Sequence, residues 1–141
     1  MHSISFSSRL PVLVHQKLVN SPFLGAKLLN KMFTLSEENY LKAIYHLEAF
    51  SGKGISTNAI AEKVDAKASS VTDMVKKLAD KEVLFYKKYR GVTLSDLGNK
   101  IAISVIRKHR LWELFLVEKL NFSWDEVHDV AEQLEHIKSP K

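Results

Sequence analysis

The stretch that most restricts the fold is "STNAIAEKVDAKASSVTDMVKKLADK", Ser56 to Lys81. It predicts two short helices, from Ser56 to about Val64 and from about Ala68 to Lys81, with only Asp65-Ala66-Lys67 between them. So short a break forces the pair to cross. Ile60, the small Ala61, Val64, Ala66, Val71 and Met74 fall at helix-turn-helix spacing, where the small residue permits close approach and the others build the shared core. Directly behind them, "VLFYKKYRGVTLSD" predicts two short strands around a turn at Tyr89-Arg90-Gly91, before Ser95 caps another helix. A hairpin in that position is a wing.

The second helix of the pair leaves Lys67, Ser69, Ser70, Thr72, Asp73, Lys76 and Lys77 on its outside, and the wing adds Lys87, Lys88, Tyr89 and Arg90. Lysines and arginine suit phosphates, and short polar groups suit base edges. Isolated surface lysines are ordinarily a solvated face. Here charge, helix pair and wing coincide, so double-stranded DNA is the expected partner. Phosphate contacts are assigned to Lys67, Lys76, Lys77, Lys88 and Arg90, with Ser69, Ser70 and Thr72 nearest the bases.

Charge is unevenly spread. The formal net charge is +5, but residues 1–33 carry four basic groups and no acid, so the remainder is nearly balanced. Within that remainder, residues 53–90 hold nine basic and five acidic groups, whereas 113–141 hold three basic and seven acidic. The body is therefore basic in its middle and acidic at its end. The acid-free, serine-containing leader 1–33 is expected to be disordered, a transit segment, a flexible arm, or an over-long start, with Met32 opening the protein at "MFTLSEENY". No apolar run approaches the roughly 18 residues of a membrane span, and the composition is that of a soluble globular chain.

Two further helical regions frame the pair. Before it, Ser36 is the expected cap, Glu37 and Glu38 lie in the first turn, and Tyr40, Leu41, Ile44, Tyr45 and Leu47 form a core face that ends near "SGKG". After it, a helix is predicted from Ser95 to about Leu120, with Ile101, Val105, Ile106, Leu111, Leu114, Phe115 and Val117 apolar; this is longer than a wing domain needs. Another helix is expected from Ser123, with Ser123 and Glu126 as a capping box and Phe122 with Val127 as a hydrophobic staple. On that last helix His128, Glu132 and His136 are four apart and Glu135 is three beyond Glu132, so all four are expected along one side. His109 and Glu113 are four apart on the preceding helix.

A single such pair is usually solvated. Six ligand-type residues on consecutive antiparallel helices, in the acidic part of the chain, call for a compensating cation. With zero cysteines the donors are nitrogen and oxygen alone, and no disulfide framework or thiolate site is available. A hydrolytic metalloenzyme would use the same residue types, but "EQLEH" lacks the first histidine of the inverzincin signature and the basic wing would be left without a role. A metal-independent winged-helix regulator would leave the ligand stripe without one.

In "YLKAIYHLE", "SSVTDMVKKL", "YKKYRGVTLSDLG", "RKHRLWELFL" and "VHDVAEQLEH", in that order, the chain resembles the diphtheria toxin repressor and manganese transport regulator family of metal-dependent bacterial transcription regulators, from Thr34 to its C-terminus. The resemblance implies a mainly α fold: a winged helix-turn-helix DNA-binding domain over 34–94, then a partial helical dimerisation and metal-binding domain over 95–141. It implies a cytoplasmic repressor of metal-uptake genes that takes manganese, with ferrous iron as the alternative, and binds its operator as a homodimer. Position by position, Glu132, Glu135 and His136 match primary-site ligands, and Asn39 stands where the family places Asp or Met. His109, Glu113 and His128 match ligands of an ancillary site. Lys42 stands where manganese regulators carry a Glu that binds a second metal, which puts a paired-metal site in doubt. The chain stops at "KSPK", before the remaining dimerisation helices and any SH3-like third domain, so a weakened dimer is expected.

Overall fold

In a computed structural model, residues 33–52 and 54–138 are described; the expectations for residues 1–32 lie outside them. Seven elements follow in order: α1 (Leu35–Ser51), α2 (Thr57–Lys63), α3 (Ala68–Asp80), β1 (Leu84–Lys87), β2 (Gly91–Leu94), α4 (Asp96–Leu120) and α5 (Val127–Leu134). The fold is mainly helical, as expected.

α1 starts two residues earlier than Ser36 would allow. Thr34 is the cap: its hydroxyl accepts the Glu37 N–H, and the Glu37 carboxylate accepts the Thr34 N–H at 2.9 Å, a reciprocal capping box. Ser36 is exposed inside the first turn. The helix closes at Gly52, whose φ of 56° is the left-handed cap that glycine adopts without a Cβ penalty. Phe33, placed with the leader on sequence grounds, is buried in the core.

α2 and α3 are capped at Ser56 and Lys67, and bury Ile60, Val71, Val75 and Leu78 completely. Full burial of such side chains contributes roughly 1.5–3 kcal/mol each. The hairpin pairs Leu84 with Leu94 through Lys87 with Gly91, antiparallel, and its turn is closed by the Arg90 N–H on the Lys87 carbonyl. A third, single-residue strand was not foreseen: Ile55 exchanges both backbone hydrogen bonds with Val92 at 2.8 Å, tying the α1–α2 connection to the wing. Gly54 makes this possible, because a Cβ there would stand 2.1 Å from the Arg90 carbonyl oxygen.

These elements share one core, built from α1, α2, α3, the hairpin and the first half of α4. A second, smaller core joins the far half of α4 to α5 through Leu116, Val127 and Ala131, with Trp112 and Phe122 against it. The expected helix from Ser123 begins only at Val127. The Ser123 carbonyl instead accepts from both Glu126 and Val127 in a tight turn, and the Ser123 hydroxyl meets the Glu126 carboxylate at 2.6 Å, so the reciprocal box is not made. Phe122 packs against the small core to which Val127 belongs. No helix among the described residues is long and apolar enough to cross a membrane.

Candidate metal centres and nucleic-acid face

α5 ends at Leu134, so the four residues expected along one helix side are divided. His128 and Glu132 remain on the helix, while Glu135 and His136 lie in the turn beyond it and point two ways. This places them between two regions of the fold.

One group converges on α4. Ligand atoms of His109, Glu113 and His128 all lie within 4.8 Å of one another, with His109 and Glu113 buried and His128 exposed. His109 Nε2 is 3.0 Å from Glu113 Oε1 and 3.0 Å from His128 Nδ1. The other Glu113 oxygen accepts from Arg110 at 2.7 Å. Burial pushes the Glu113 carboxyl up, but Arg110 and the two imidazoles outweigh this and hold it below the usual carboxylate range. Two imidazoles and an ionised carboxylate at this spacing fit a divalent ion.

The second group spans α1 and the turn after α5. His136 Nε2 lies 2.8 Å from Asn39 Oδ1 and 3.2 Å from Glu135 Oε1, while Nδ1 faces Glu38 Oε2 at 2.7 Å. Burial pulls the His136 pKa down, yet Glu135 and Glu38 raise it to about 9. Glu135, fully buried, is pushed up by desolvation but brought down to about 2 by His136, Lys42 and His109. Glu38 went unread as a site residue: in "SEENY" it is indistinguishable from an acid favouring a helix N-terminus, and only the tertiary fold turns it onto His136. A carboxylate on one ring nitrogen is the usual support of a metal-ligating histidine, since it sets the tautomer and aims the other nitrogen.

Lys42 completes this group. Its ammonium stands 2.7 Å from Glu135 Oε1 and 3.2 Å from Glu132 Oε1, so Glu132, about half exposed, reaches the others through a lysine. Glu135 also links the two groups, its Oε2 lying 2.6 Å from His109 Nδ1. A cavity of about 420 Å³ opens beside them, lined among others by Asn39, Lys42, His109, His128 and Glu132. The donor set is oxygen and nitrogen throughout, which fits a hard or borderline divalent ion.

Lys67 at the cap of α3 and Ser69, Ser70, Asp73, Lys76 and Lys77 within it are exposed, as are Lys88 and Arg90 of the wing. Thr72 is half buried, its hydroxyl donating to the Ala68 carbonyl at 2.9 Å. Lys77 is engaged too: it pairs at 3.0 Å with Glu37, which is fully buried and is also met by Lys81 at 2.8 and 2.9 Å. The tip residue Tyr89 is almost fully exposed at a φ of 67°.

Comparison with known proteins identifies both regions of the chain. Residues 32–92 match the iron dependent repressor N-terminal DNA binding domain, and residues 95–141 match the iron dependent repressor metal binding and dimerisation domain. An HTH-type transcriptional regulator MntR from Oceanobacillus iheyensis is 41% identical over 106 residues, 74% of this chain and 70% of that protein. The diphtheria toxin repressor of Corynebacterium jeikeium is 37% identical over 100 residues, 71% of this chain but 41% of the relative. Among solved structures, the manganese regulator SloR superposes with a TM-score of 0.62 at 42% identity, over 74% of this chain and 48% of that one. A manganese-dependent transcriptional repressor in complex with manganese gives 0.66 at 39%, over 74% and 47%. The chain thus spans about half the length of these structural neighbours. With both domain models matched in sequence order and a 41% identical relative covered over most of its length, the chain belongs to the iron-dependent repressor family, a family of transcriptional regulators and not of enzymes.

Proposed function

We propose that the chain is a metal-responsive DNA-binding repressor of metal-uptake genes, acting in the cytoplasm as a homodimer on a double-stranded operator. Manganese is the proposed ion and ferrous iron the alternative. The observation that carries this reading is the position of α1. Its N-terminal turn holds α3 through Glu37, Lys77 and Lys81, and the neighbouring Glu38, Asn39 and Lys42 meet the residues after α5. Whatever tightens that junction bears on the recognition helix.

The residues that would hold ions are Asn39, Glu132, Glu135 and His136 at one centre and His109, Glu113 and His128 at the other. A bound divalent ion would supply the positive charge that this acidic end of the chain calls for, and its binding energy would add to the stability of the docked arrangement. Glu38 holds His136 in place, and Glu135 joins the two centres through His109. Asn39 and Glu132 offer oxygen donors, which suit manganese better than sulfur would. Lys67, Lys76, Lys88 and Arg90, all exposed, would meet phosphates, and the exposed Ser69, Ser70 and Asp73 would lie nearer the bases. Along α4 and beyond, Leu111, Leu114, Phe115, Leu120 and Trp124 are exposed, from 46% to 71%, an apolar surface suited to a second copy.

The test is anisotropy of a labelled duplex selected in vitro by the chain in manganese, titrated with this chain and with one started at Met32. Manganese should raise the affinity, and His136→Ala and Glu135→Ala should remove most of the rise. Equal affinity in manganese and in chelator would leave a metal-independent regulator as the better reading.

A further inference from the structure

Lys42 enters the carboxylate group at the α1–α5 junction from α1, where it meets Glu132 and Glu135, while Lys138 pairs with Glu38. Lys42 lies three residues after Asn39 and four after Glu38, on the same side of α1, and its side chain is 15% exposed. Both of its carboxylate partners, Glu132 and Glu135, belong to the proposed ion-binding set. Glu135 is fully buried and its Oε1 is shared between the Lys42 ammonium at 2.7 Å and His136 Nε2 at 3.2 Å. Its Oε2 is taken by His109. An ion approaching Glu135 on the Glu132 side meets an ammonium already there.

We propose that Lys42 is a built-in counter-cation of the Glu132–Glu135 pair, holding the segment after α5 against α1 without metal and competing with a divalent ion for the same two carboxylates. The inference rests on the proposed function, because it takes these residues as ligands. Three observations support it. The ammonium contacts both carboxylates at hydrogen-bond distance, which is the strong, charge-assisted form of the bond. The buried member of the pair needs a positive partner, since an unpaired buried carboxylate is costly. The cavity that Lys42 lines also gives the side chain room to withdraw from Glu135 without disturbing the apolar core. Lys42 is therefore a positioning residue that also sets affinity: each ion bound must displace or share its charge.

The experiment uses the full chain as wild type, Lys42→Met, Lys42→Arg and His136→Ala, with circular dichroism confirming that each folds. Manganese binding is followed by the electron paramagnetic resonance signal of the free ion, and melting is recorded in chelator and in manganese. Lys42→Met should melt lower than wild type in chelator, because Glu135 loses one of its positive partners and keeps only the two imidazoles, yet bind manganese about tenfold more tightly at the His136-dependent centre, the scale of one like-charge contact in a partly exposed site. Lys42→Arg should resemble wild type in both. These opposite signs separate the proposal from a merely structural lysine, whose removal would lower the melting point and the affinity together. Unchanged or weaker manganese binding in Lys42→Met, with wild-type binding that depends on His136, would overturn this inference alone. Manganese binding that is absent, or indifferent to His136→Ala, would overturn the proposed centre and this inference with it.

Discussion

Lys76 and Lys77 are adjacent, both basic and both exposed on α3, yet their surroundings differ, so the proposed DNA contact should draw on them unequally. Lys77 shares the buried Glu37 carboxylate with Lys81, so part of its charge is already neutralised within the protein. Lys76 faces solvent on the outer side of the same helix. Each phosphate neutralised contributes about −0.9 to the slope of log affinity against log salt, which over a fourfold change in salt is a factor of about 3.5. Lys76→Ala should therefore flatten the slope by about one contact and lose about 3.5 times more affinity at 50 mM than at 200 mM salt. Lys77→Ala should change the slope by less than half as much, because DNA can draw Lys77 to a phosphate only by weakening its hold on Glu37. The assay is anisotropy of the same duplex at four or more salt concentrations, in saturating manganese. Equal slope changes for the two variants would refute the reasoning, and would mean that Lys77 leaves Glu37 freely when DNA binds.

How much of this was legible in the sequence depends on how far apart the interacting residues stand. The helix pair, hairpin and long helix were readable because each rests on local signals: Ser56 as a cap, Gly52 after α1, and the apolar spacing from Ile60 to Leu78. The errors were local as well. Thr34 and Ser36 are both capping residues two apart; Ser36 is the expected cap, but the helix takes Thr34, whose third residue onward is Glu37, the partner that closes the capping box. Periodicity predicts one helix from Ser123 past His136, since it cannot show that the chain turns after Leu134. That turn sends Glu135 back to His109 and His136 across to Glu38 and Asn39, contacts spanning 26 to 98 positions. Glu37 and Glu38 read as ordinary first-turn acids. Their burial against lysines of α3 and a histidine of the far domain is a property of packing, invisible to any local window.

Three further expectations follow from the packing. Leu78→Ala removes a fully buried side chain where α3 meets the main core and should cost about 2–5 kcal/mol in chemical denaturation. Gly98→Ala should destabilise the fold despite the better helix propensity of alanine, worth about 1 kcal/mol, because the new Cβ would stand 1.9 Å from the Val83 carbonyl oxygen; a melting point at or above wild type would contradict it. The last concerns acid. Burial pushes the Glu37 carboxyl up, but Lys81, the Thr34 backbone and Lys77 more than offset this and leave it below its ordinary value of 4.5. Since the folded state releases this proton more readily than the unfolded state, its contribution is complete above the unfolded value and disappears as pH falls through the folded one. Glu37→Gln keeps the shape and removes the charge. It should cost about 2 kcal/mol at pH 7, less than the roughly 3–5 kcal/mol of a fully buried pair because both lysines reach solvent. Denaturation curves for wild type and variant should then converge as the pH is lowered from 6 to 3. A gap that stayed constant across that range would mean that Glu37 holds α3 by shape and hydrogen bonding alone, and that its charge contributes nothing to the link between α1 and α3.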